Sequence, residues 1–107
     1  MYVIRRVYEV KPGMARRVAT LVKQQGDAYS DAGQRSEVRV YFNGGTIPGD
    51  NNRVYMEWTD KTIDSPYREG ASSPEAAREF SAEIREHVVS QRIEFFEMMI
   101  PEKMQND

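Results

Sequence analysis

Four strand-like segments and two helical stripes follow one another in a single order along these 107 residues, and that order constrains the fold more than any other feature. Residues Tyr2 to Val10 are rich in β-branched and aromatic side chains, and Lys11-Pro12-Gly13 breaks the run. Met14, Val18, Leu21, Val22 and Tyr29 then recur at helical spacing, and Gly33 ends that segment within an Asp31–Gln34 turn. Residues 36 to 42 and 53 to 58 alternate with a period of two, joined by a Gly- and Asn-rich connection at 43 to 52. Residues 60 to 70 predict a short helical turn or loop. Ser73-Pro74-Glu75 predicts the start of a second long helix, with Ser73 as cap and Ala77, Phe80, Ile84 and Val88 as its buried stripe. The last strand is expected over Arg92 to Ile100, closed by Pro101.

The order is β-α-β-β-α-β, an α+β ferredoxin-like arrangement with a four-stranded antiparallel sheet and both helices on one face. The length predicts one domain over residues 1–107. The other sheet face is then uncovered. One register of the strands gives it Val3, Arg5, Val7, Tyr41, Tyr55, Phe96 and Met98, together with Arg39, Glu57 and Glu94. That set is too apolar for bulk water and too charged for an ordinary core. A second copy packed against the same face resolves the conflict, so a homodimer through the open sheet face is expected.

Composition narrows the chemistry. There is no cysteine, which excludes disulfides, thiolate nucleophiles and Cys-ligated metal or cluster sites. One His rules out a multi-imidazole metal centre within a single subunit. The expectation is therefore no metal and no cofactor. A net charge of −2 gives no electrostatic reason to expect nucleic acid, and the alternating charges from Glu75 to Glu86 read as a solvated helix face. Two arginines interrupt the first apolar run and no stretch reaches the length of a membrane span, so no membrane association and a cytoplasmic location are expected.

The sequence VKPG at 10 to 13 before an amphipathic helix, and MEWTD at 56 to 60 before an acidic Ser-Pro segment, resemble the dimeric α+β barrel superfamily. Within it the chain looks most like the antibiotic biosynthesis monooxygenase-like proteins and their stress-responsive and heme-degrading relatives. That resemblance implies a dimeric barrel and a cofactor-independent monooxygenase acting on an aromatic or polyketide-like small molecule. It leaves open a non-enzymatic small-ligand-binding or stress-associated dimer, an interface filled with no cavity, and a heme binder using His87. The heme-degrading relatives carry a Trp near the His of the second helix, whereas positions 77 and 78 here are Ala and Arg.

The candidate residues follow from these two readings. Arg5 and Arg39 are a clamp for a developing carboxylate or enolate, with Glu57 orienting a ring or a water, or else the charges pair across the sheet. His87 is a base for a phenolic substrate, an axial heme ligand, or a helix C-terminal residue resting on the last carbonyls. Tyr41 and Tyr55 are walls and hydrogen-bonding groups for an aromatic ligand, or fill the dimer interface. Trp58 is a stacking surface, though it shares the parity of Val54 and Met56 and so points toward the helix-side core.

Overall fold

The computed structural model describes residues 1–63 and 73–106. Strand β1 spans Tyr2–Val10, helix α1 Ala15–Asp31, β2 Arg39–Asn43 and β3 Arg53–Asp60. Two short helices follow, α2 at Glu75–Arg78 and α3 at Ser81–His87, and then β4 at Val88–Glu97. A single 3-10 turn, Pro101–Lys103, comes after the sheet. The strands form one antiparallel sheet in the order β2-β3-β1-β4, with the helices packed on one face, as the sequence pattern predicts.

Alternation decides which residues meet the helices. Ile4 and Tyr8 from β1, and Val54, Met56 and Trp58 from β3, are buried against Val18, Leu21 and Val22 of α1 and Ile84 of α3. Gly26 marks a close approach between α1 and the sheet. A Cβ placed there would stand 2.6 Å from Val38 Cγ2 and 3.0 Å from Met56 Sδ, so the helix can lie this close only without a side chain at that position.

The turn at Lys11-Pro12-Gly13 forms where expected, with Gly13 at φ +82° taking up the left-handed backbone. Its Lys11 N–H donates to the His87 carbonyl and ties the turn to the end of α3. Gly33, at φ +74°, follows α1 as predicted. Three boundaries depart from the sequence expectation. The second long helix is broken at Glu79–Phe80, and Ser73 makes no side-chain cap; its hydroxyl instead accepts a hydrogen bond from Tyr29 at 3.0 Å. Val88, read as the last stripe position of that helix, already has extended backbone (φ −97°, ψ 129°) and opens β4 four residues earlier than expected. At residues 36 to 38 the backbone ladder is replaced by side-chain bonds: Ser36 Oγ donates to the Thr59 carbonyl and accepts from the Thr59 N–H. Most of the turn or loop expected over 60 to 70 lies outside the described residues.

Candidate functional site

The uncovered sheet face is an ordered set of cross-strand rows. Arg39 lies opposite Glu57, Glu57 opposite Arg5, and Arg5 opposite Glu94, so one row crosses all four strands with alternating charge. The next row is Tyr41, Tyr55, Val7 and Arg92. Five of the sequence-predicted site residues, Arg5, Arg39, Glu57, Tyr41 and Tyr55, are therefore brought together.

Their chemistry is largely spent on one another. Arg5 donates to Glu94 Oε1 through Nη2 at 2.9 Å and Nε at 3.2 Å, and its guanidinium carbon stands over the rings of Tyr55 and Phe96 at 5.5 and 5.1 Å. The bond to Glu94 raises the Arg5 pKa above its ordinary range and holds the Glu94 carboxyl below its own. Arg39 donates to Glu57 Oε2. Tyr41 donates to Glu57 Oε1 at 3.0 Å and stacks on Tyr55 with centroids 5.2 Å apart. Partial burial, then the bond to Glu57, pushes the Tyr41 hydroxyl up. Cross-strand pairing thus accounts for these charges, the second of the two readings of the sequence.

His87 and Trp58 stand apart from this group. His87 ends α3, with Nε2 3.8 Å from Glu83 Oε2, and Glu83 in turn takes a two-point bond from Arg17 of α1 at 2.7 and 2.8 Å. Its surroundings are the junction of two helices. Trp58 is buried on the opposite face of the sheet from Tyr41 and Tyr55, because β3 alternates. Its ring packs against Arg35, which lines a second site.

That site is a cleft of about 200 Å³ between the helices and the sheet. Arg6 and Tyr8 reach it from β1, Gln25 and Tyr29 from α1, Arg85 from α3, and Arg35 from the α1–β2 connection. The Arg35 guanidinium carbon lies 3.7 Å from the Tyr29 ring centroid and 4.0 Å from that of Trp58, which are stacking distances. Burial lowers the Arg35 pKa to about 10, with the nearby Arg6 charge adding to the effect. Burial also pushes the Tyr8 hydroxyl up, opposed by the positive charges of Arg6 and Arg35. The Gln25 amide is already committed, donating to the Ala77 carbonyl and Ser81 Oγ, both at 3.0 Å.

The sequence reading missed Arg6, Tyr8, Gln25, Tyr29, Arg35 and Arg85 as a group. One signal was present: Arg6 occupies the core-facing parity of β1, between Ile4 and Tyr8, where a charge calls for an explanation. The convergence of Arg35 and Tyr29 on it depends on packing and has no periodic signature. Among the described residues no group of three or more His, Asp or Glu side chains is placed to hold a metal ion. No helix among them is long and apolar enough to cross a membrane.

No family model and no curated protein matches the chain. Solved structures do. A NIPSNAP family protein from Agrobacterium tumefaciens is 17% identical with a TM-score of 0.68, over 97% of this chain and 98% of its own. An uncharacterized NIPSNAP domain protein from Burkholderia xenovorans is 18% identical with a TM-score of 0.61, over the whole of both chains. A NIPSNAP-like domain protein from the same organism is 23% identical with a TM-score of 0.57, over 92% of this chain and 84% of its own. At these identities the likeness is one of fold. It nevertheless corrects the resemblance drawn from VKPG and MEWTD: these three neighbours are NIPSNAP or NIPSNAP-like proteins, not antibiotic biosynthesis monooxygenase-like or stress-responsive ones. The oxidoreductase assignment falls with it. The physical reason lies in the motifs, since VKPG encodes a strand-to-helix turn and MEWTD a strand end, and neither carries chemistry of its own.

Proposed function

We propose that the protein is a non-enzymatic small-ligand-binding protein, with the cleft between helices and sheet as its binding site. One observation carries this reading: Tyr29 and Arg35, with Trp58 packed behind the guanidinium, wall a cavity of about 200 Å³ that the sheet and helices leave unfilled. The groups around the cleft suit binding better than proton transfer. The Arg35 guanidinium stays charged at neutrality, and the Tyr8 hydroxyl is pushed away from it, so neither is poised to take a proton from a ligand.

A homodimer through the open sheet face completes the reading. Tyr41 and Phe96 leave 39% and 42% of their surface exposed there, and a row of alternating charge is complementary to itself when turned about a two-fold axis. The test is a thermal-shift screen of small soluble molecules, followed by mass analysis of each hit after long incubation. Saturable stabilisation with the hit recovered unchanged is expected. A hit returned as a product would overturn the non-enzymatic reading, and a screen with no saturable hit would overturn the binding reading.

A further inference from the structure

Arg35 is a charged group in an unusual position. It is half-buried, its faces are taken by aromatic rings, and the hydrogen-bond acceptor it reaches is the Met56 thioether, 4.0 Å from Nη1. A thioether accepts weakly, and a guanidinium has five N–H donors to satisfy. Among the described residues no carboxylate forms an ion pair with Arg35, Arg6 or Arg85. No acidic side chain lines the cleft, where three arginines do. Like charges this close, in a partly dry site, repel one another and cost stability unless something negative joins them.

Stacking also restricts what can join them. Rings against the guanidinium faces leave its N–H edges, and those edges match an oxyanion with two oxygens side by side. We propose that the cleft binds the carboxylate or phosphate of a small molecule on Arg35 and Arg6, with Arg85 at the mouth. The proposal rests on the ligand-binding reading above and adds the charge of the ligand to it. The ring of Tyr29 and the volume of the cleft leave room for a short apolar portion beside the anionic group.

Trp58 is the single tryptophan of the chain and touches Arg35, so its fluorescence reports on the site directly. The protein is titrated with inorganic phosphate, with hexanoate and with hexanol, at constant ionic strength set with sodium chloride. A saturable change with phosphate or hexanoate is expected. Phosphate alone identifies a free inorganic or phosphorylated ligand, and hexanoate alone a carboxylate with an apolar tail. Arg35→Gln and Arg6→Gln should each weaken that response about tenfold, and Arg35→Lys less so. Arg6→Gln leaves the ring stack in place and keeps the test valid if Arg35→Gln misfolds. Hexanol binding as tightly as hexanoate, with no response to phosphate, overturns the anion site and leaves the ligand-binding reading standing. No saturable response to any of the three also overturns the anion site, and the ligand-binding reading is then decided by the thermal-shift screen.

Discussion

Arg5 and Arg35 take the same guanidinium into opposite surroundings, and the contrast separates a structural charge from a binding one. Arg5 spends its donors on Glu94 across the sheet and rests on two rings. Arg35 has the rings without the carboxylate. The Arg5–Glu94 pair makes a prediction about acid. Glu94 titrates below its ordinary value in the folded chain, so its contribution is complete above the unfolded carboxylate pKa. It fades as pH falls through the lower, folded value. Thermal melts of wild type and Glu94→Gln should therefore differ at neutral pH and converge as pH falls below the ordinary carboxylate range, a gap that persists into strong acid counting against the pair. Gly26 gives a second prediction at this scale. Alanine there gains about 1 kcal/mol of helix propensity, but its Cβ meets Val38 at 2.6 Å, and overpacking of that kind costs about 1–3 kcal/mol. Gly26→Ala should lower stability in urea denaturation, and adding Val38→Ala should restore part of the loss. A Gly26→Ala chain as stable as wild type would mean that α1 does not depend on this close approach.

Among the elements, the strands were more legible than the helices. A period of two assigns each side chain to a face, so Arg5, Arg39, Glu57, Tyr41 and Tyr55 were placed together before any pairing was known. The pairing itself, which turns them into a row, follows from the strand order and needs the tertiary fold. The second helix was less legible because Ala77, Phe80, Ile84 and Val88 keep helical spacing across a break at Glu79–Phe80. Spacing alone cannot register a turn that preserves the stripe. The connection from β2 to β3 read as an open Gly-rich loop, yet Asn43 organises it from within. Only 8% exposed, Asn43 donates to the carbonyls of Ile47 at 3.2 Å and Pro48 at 3.3 Å, and accepts from the Gly45 N–H at 2.8 Å. Asn43→Ala strips three backbone groups of the loop of their side-chain partner and should cost about 0.5–1.5 kcal/mol. Faster amide exchange at Gly45 is the local sign of it, and unchanged exchange there would show that the loop holds without Asn43.

For the whole molecule, the two faces of the sheet divide the labour. The helix face holds both the core and the cleft, while the open face holds rows of paired charges and exposed rings. The dimer proposed through the open face is checked by light scattering across a dilution series. Phe96→Asp places a new charge among Arg5, Val3 and Glu94 and is expected to shift the mass toward the monomer while ligand binding in the cleft persists. A mass that stays at the dimer in Phe96→Asp would move the interface elsewhere. The sequence pointed to the open face as the place for chemistry because its charges stand out against an apolar pattern. The cleft was hidden because its residues come from three strands, two helices and a connection, and only packing brings them within reach of one another.

The two faces are told apart most directly by amide chemical shifts of the isotopically labelled protein titrated with hexanoate. Shifts that saturate and cluster at Tyr8, Gln25, Tyr29 and Arg35 are expected, with Arg39, Tyr41 and Tyr55 unmoved. Saturable shifts centred on Arg39, Tyr41 and Tyr55, with the cleft silent, would contradict the placement of the binding site beneath the helices.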